Sequence, residues 1–252
     1  FVADQFDLSG VGLNGRWATM ISENVYITAE HFAPGVGSSV TFYAGNDPSG
    51  PSLTRLITSD RLQIGATDIF VGTLDSPLSS AYTFYDFATE DITGVSGGPG
   101  SFSESIYDGA NAYVFGRSDS TFPTSQDMAV GRNVLDRFSS SVFAADNTGD
   151  AIAATDDRPD GVTFESQLEV GDSGGPLFVE NTSGGLTIVG INWFVGTRGG
   201  EDILGATYVG NYDEEIQAFI DANVVPEPST FALYAGFACG VLLVRRRRRG
   251  AQ

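Results

Sequence analysis

The sequence predicts an all-β protein. Three observations predict it: short runs of β-branched and aromatic residues recur along the chain, Gly, Pro, Asn and Asp divide them, and a helical pattern breaks the series at one segment near the end. The 252-residue chain contains 32 glycines and an ordinary 41% of hydrophobic residues, which suits many tight turns better than a helical bundle. A chain of this length holds one large domain or two small ones, and either buries a sizeable core.

The runs are Asn24–Ala29, Ser39–Tyr43, Thr67–Leu74, Tyr82–Phe87, Ala112–Phe115, Gly161–Glu165, Pro176–Val179 and Leu186–Val195. Their spacing reads as a sandwich or barrel of antiparallel strands. Asn24–Ala29 follows a turn at Ser22–Asn24, and Thr67–Leu74 is an apolar strand with an acid at its opening and a turn at its end. The exception is Tyr212–Asn223 (YDEEIQAFIDAN). It places Ile216, Phe219 and Ile220 on one helical face and acids in the first turn. This predicts an amphipathic helix packed back onto the body, with Asn223 as its stop.

Beyond it the composition changes. The prolines of Val225-Pro-Glu-Pro-Ser-Thr230 cannot continue a helix. Phe231–Val244 then carries no charge, and Arg245–Arg249 is a run of five arginines. Those fourteen uncharged residues fall short of the roughly 20 that a spanning helix needs, but Ser229 and Thr230 extend them and arginines can snorkel. The arginine run stays on the cytoplasmic side, so the body lies outside. The chain opens at Phe1 with no positively charged, apolar leader, so a signal peptide has either been removed or was never present.

The net charge is −19, and lysine is absent. Without the arginine run and Glu227 beside it, the chain before residue 224 carries 31 acidic against 8 basic residues, a balance of −23. Such a body repels nucleic acid and anionic lipid, so neither is an expected partner, and the charge reads as a solubility device. Cys239 is the single cysteine, so no intrachain disulfide forms. The acidic stretch Asp146–Asp160, with Asp150, Asp156, Asp157 and Asp160, lacks the spacing of a known calcium loop and reads as a solvated surface loop.

Gly171-Asp-Ser-Gly-Gly-Pro176 carries the chemistry. A glycine-flanked turn exposes a serine hydroxyl and lets nearby N–H groups converge on a carbonyl oxygen; here the N–H groups of Gly171 and Ser173 would form that oxyanion hole. Serine is a weak nucleophile at neutral pH and needs a base. His31 is the one histidine of the chain, set between Ala29-Glu30 and Phe32 at the end of a strand. A base needs an acceptor on its far nitrogen, usually a buried carboxylate. Asp68 opens an apolar strand, whereas its rivals Asp60 and Asp75 lie in polar, turn-like settings.

These segments resemble the chymotrypsin (trypsin) family of serine proteases. Thr28-Ala-Glu-His31 resembles its histidine box, with Glu30 where small residues are usual. Asp68-Ile-Phe-Val71 resembles its aspartate box, and Gly171–Pro176 matches its serine box throughout. The order His, Asp, Ser and the gaps of 37 and 105 residues fit. Tyr113-Val-Phe-Gly116, Asn192-Trp193 and the final helix also have counterparts. The resemblance implies a protease domain over residues 1–223, built of two six-stranded antiparallel barrels. It implies a catalytic triad of His31, Asp68 and Ser173 that needs no metal or cofactor, and protein or peptide substrates. Gln167 would lie at the base of the specificity pocket, with Asn192, Trp193 and Phe194 along its wall. No aspartate stands at the base and Phe194 replaces a glycine, so small or medium uncharged side chains are expected before the cut. Asp172 is the residue that in the family pairs with a new N-terminal ammonium and supports the oxyanion loop.

Residues 224–252 resemble the PEP-CTERM sorting signal of Gram-negative bacteria: the Pro box, a short apolar helix, then arginines. That implies export, an exosortase-type partner, and at least transient membrane contact through the apolar helix. The alternative to an enzyme is a non-catalytic surface or matrix binding protein that keeps the fold.

Overall fold

Strands β1 (Val11–Leu13), β2 (Trp17–Met20), β3 (Val25–Ala29), β4 (Ser39–Tyr43), β5 (Ser52–Gln63) and β6 (Ile69–Leu74) pair antiparallel in the order β1-β2-β3-β6-β5-β4. Leu13 of β1 faces Thr41 of β4, which closes the sheet into a barrel. Closure leaves no unpaired edge. The computed structural model describes residues 5–46, 49–92, 96–97, 102–117, 128–156, 168–198 and 200–223.

All five residues of β3 are buried, because successive side chains point to opposite faces and both faces are covered. Tyr26 packs with Ala18, Met20, Val40, Phe42, Ile57 and Leu74 in one cluster. Val25, Ile27 and Ala29 join Trp17, Ile69 and Val71 in a larger core shared with the second half of the chain. The two halves are therefore welded through β3 and β6, the strands that precede His31 and follow Asp68.

The second half contains β7 (Asp86–Phe87), β8 (Ser96–Gly97), β9 (Asn111–Arg117), β10 (Met128–Ala144), β11 (Asn147–Asp156), β12 (Pro176–Glu180), β13 (Leu186–Arg198) and β14 (Glu201–Tyr208). They form one sheet in the order β11-β14-β13-β12-β9-β10-β8, with a further antiparallel pairing of β10 to β11 and a parallel one of β7 to β13. Phe178 anchors its core, 4.7 Å from Tyr85 and 5.4 Å from Phe115 between ring centroids. The helix α1 (Asp213–Ala222) buries Ile216 and Ile220 and carries Asp213, Glu214 and Glu215 in its first turn, where the positive end of the helix dipole favours acids.

Some expectations change. Of Tyr82–Phe87 only Asp86–Phe87 is strand. The segment before it crosses between the two halves, with the Tyr85 N–H bonded to Met20 O and the Tyr85 ring buried on Phe178. Its aromatic content reflects that buried crossing and not a ladder. Most of the acidic stretch expected as a loop is strand: β11 runs to Asp156, and Asp150 accepts bonds from Ser141 N–H and the Asn211 amide. No cluster of three or more metal-ligating side chains occurs among the described residues. Asp157, Asp160, the run Gly161–Glu165 and the whole of residues 224–252 lie outside the described residues. Among the described residues no helix is long and apolar enough to cross a membrane.

Candidate active site

The β3–β6 register sets the first part of the site. Ala29 faces Ile69, so the residues just beyond, Glu30 and His31, meet the residue just before, Asp68. The Glu30 N–H bonds Asp68 O at 2.8 Å, and the His31 N–H bonds Asp68 Oδ1 at 2.9 Å. The His31 ring closes the loop, with Nδ1 2.8 Å from Oδ2 and 2.9 Å from Oδ1. Beside a carboxylate Nδ1 must carry the proton, which leaves Nε2 as the acceptor. The His31 side chain keeps 23% of its surface exposed while that of Asp68 keeps none.

Burial pushes the Asp68 carboxyl above the usual carboxylate range; the bonds from His31 pull it back, and the nearby Glu30 carboxylate pushes it up again. Burial disfavours the charged form and bonds to that form favour it. The rivals take no part. Asp60 and Asp75 are exposed, and Asp75 accepts the Leu56 N–H at 2.9 Å.

Ser173 stands on the turn ahead of β12, half-buried. Three N–H groups of this turn have backbone partners: Asp172 to Glu169 O (3.0 Å), Gly174 to Asn192 O (2.9 Å) and Gly175 to Asp172 O (3.0 Å). Among the described residues none accepts a bond from the Gly171 or Ser173 N–H. These two are the pair expected to face a substrate oxygen. Gly171 has φ +108° and Gly174 φ +89°, a region that L side chains enter only at a cost. A Cβ on Gly174 would lie 2.5 Å from Thr28 Oγ1 and 3.2 Å from Ala29 N. The serine turn is thus pressed against the end of β3, directly before Glu30 and His31.

Asn192 holds the turn from behind. It is completely buried, and its Nδ2 donates to Phe115 O at 2.5 Å and to Asp172 O at 3.3 Å. Its backbone N–H bonds Gly175 O at 2.9 Å. Its side chain therefore braces the serine turn. Trp193 is also buried, its Nε1 donating to Ala144 O at 3.2 Å. Phe194 is half-buried, and its ring fills the space above Gly205 so closely that a Cβ there would collide with it. Asp172 is buried, its Oδ2 accepting the Glu169 N–H at 2.7 Å, and Gly116 is glycine because a Cβ would come within 2.6 Å of that oxygen. Gln167 and Phe1 lie outside the described residues.

Asn147, the first residue of β11, was missed in the sequence. Its Nδ2 lies 3.0 Å from Asp68 Oδ1, 3.2 Å from Glu30 Oε2 and 3.0 Å from Ala145 O. The one signal was Glu30, an acid where the resemblance leads one to expect a small residue. No family model matches the chain, and no curated protein does either.

Proposed function

We propose that the chain is a serine endopeptidase of the chymotrypsin-like class, cutting peptide bonds through an acyl-enzyme. The observation that carries this reading is the buried Asp68 bonded to Nδ1 of His31, with the serine turn packed against the same strand end. In this reading Ser173 attacks the peptide carbonyl as His31 Nε2 takes its proton. The imidazolium is stabilised by ionised Asp68, and the N–H groups of Gly171 and Ser173 hold the oxyanion. His31 then returns the proton to the leaving amine, and water releases the acyl group.

The finer architecture is part of the proposal. The antiparallel pairings β9–β10, β10–β11, β11–β14, β14–β13, β13–β12 and β12–β9 form a ring, which supports a second six-stranded barrel beside the first. The Phe194 ring over Gly205 supports a shallow pocket and a preference for small or medium uncharged side chains. Export, exosortase-type sorting of residues 224–252 and a place at the cell envelope follow from the tail's resemblance. The test is cleavage of an unfolded protein by the purified chain, with Ser173→Ala as control. Cleavage by the wild type alone supports the reading; equal cleavage by both, or by neither, rejects it.

A further inference from the structure

We propose that Asn147 is the positioning residue for Asp68, so that the His31–Asp68 pair on the first barrel is held in register by a hairpin of the second sheet. This rests on the protease reading above. Asn147 lies immediately after the two-residue turn Ala145–Asp146, in which Ala144 pairs with Asn147. Both turn residues have positive φ, +47° and +64°, the geometry of the tight hairpin turn that follows strand twist. Neither is glycine, so the turn is formed at some backbone cost.

The hairpin tip is pinned to the barrel on three sides. Thr148 N–H bonds Ala66 O at 2.9 Å. Gln63 Nε2 donates to Asn147 Oδ1 at 2.8 Å and to Thr67 O at 2.9 Å. Gly149 packs against the Thr67 side chain. The bond from Gln63 fixes which way the amide faces: its oxygen meets Gln63, so its NH2 faces the carboxylates. Asn147 is 5% exposed, and little water competes for those bonds.

The acceptors outnumber the donors. Two amide protons serve Asp68 Oδ1, Glu30 Oε2 and Ala145 O. Asp68 is thereby held by one donor on the second sheet and by two on His31, its backbone N–H and Nδ1. With those bonds in place the carboxylate plane cannot turn away from the imidazole. Asn147 also stands between two carboxylates, Asp68 and Glu30, as the neutral group that lets both remain close. Arg16 stacks 3.5 Å over the ring of the neighbouring Phe32, and Asp146 is exposed on the hairpin tip.

The test compares Asn147→Ala and Asn147→Asp with wild type by two readouts. One is the rate at which a fluorophosphonate labels Ser173. The other is the NMR signal of the His31 Nδ1 proton, which is unambiguous because the chain has one histidine. We expect labelling to fall about 10-fold in Asn147→Ala, as one bond to a charged group is lost. It should fall further, by about 100-fold, in the near-isosteric Asn147→Asp, because a third carboxylate enters the cluster. The Nδ1 proton signal should shift and exchange faster in both. A role confined to packing predicts the reverse order, with the isosteric variant the milder. Gln63→Ala, which frees the amide without removing it, should give a smaller fall of the same sign and serves if the Asn147 variants do not fold. Wild-type labelling and an unmoved Nδ1 signal in Asn147→Ala would overturn the inference. Absence of labelling in the wild type would instead reject the protease reading, and the Nδ1 signal would still decide the role of Asn147.

Discussion

Asp68→Asn separates chemistry from folding. In the wild type Oδ1 of Asp68 accepts the His31 N–H and the Asn147 amide, while Oδ2 lies 2.8 Å from Nδ1. An asparagine keeps its oxygen at the Oδ1 position, where two donors already point, so its NH2 takes the Oδ2 position. That group donates to Nδ1 and forces the imidazole proton onto Nε2, the atom that accepts from Ser173 in the proposed mechanism. The expected loss is about 10⁴-fold in rate, the size associated with the wrong tautomer in such a triad. The fold should survive, because a buried carboxyl is replaced by a neutral group of the same shape. Its pH dependence should change in a defined direction. Burial raises the Asp68 carboxyl, so between its unfolded and folded values the native state binds more protons than the unfolded state. Stability contributed by Asp68 therefore falls as pH rises through that window, and Asp68→Asn should remove this fall. The assays are cleavage of a quenched fluorescent unfolded protein and thermal unfolding from pH 3 to 7, chosen to cover carboxylate titration at about pH 4 and above. Activity within 10-fold of wild type, in a variant confirmed to be folded, would refute the tautomer argument.

Other substitutions follow from the same contacts. Gly174→Ala places a methyl 2.5 Å from Thr28 Oγ1 at φ +89°; it should cost at least about 1–2 kcal/mol from the backbone alone and abolish cleavage, read by chemical denaturation and activity. Ile216→Ala removes a fully buried side chain from α1 and should destabilise by about 2–5 kcal/mol. Because, among the described residues, no hydrogen bond joins the helix to His31, Asp68 or Ser173, labelling of the folded fraction should be unchanged. Phe194→Gly clears the space above Gly205, so a peptide library should shift toward larger side chains before the cut; a wild-type profile dominated by Arg or Lys would contradict the pocket reading.

The parts of this site legible in sequence are those set by local chemistry. His31 and Asp68 end and open strands whose apolar runs mark them, and the glycines around Ser173 are demanded by positive φ and by the approach to Thr28. The helix was readable because its periodicity put Ile216 and Ile220 on one face. What stayed hidden depends on distant chain segments. Strands β5, β10, β11 and β14 carry charged or polar residues such as Arg55, Asp136, Asp150 and Glu201, which mask the alternation until the partner strands are known. The bond from the Asn192 amide to Phe115 O joins residues far apart in the chain, and nothing in its motif announces it. Asn147 sits in an acidic, turn-rich stretch with nothing local to distinguish it, and its role arises from a hairpin docking 79 residues away in sequence from Asp68.

The most direct measurement is intact mass and peptide mapping after exposure to a fluorophosphonate. The proposed chemistry predicts one adduct per chain, carried by Ser173 and absent from Ser173→Ala and from heat-unfolded protein. A folded wild type that stays unmodified, or an adduct on another residue that persists in Ser173→Ala, would contradict it.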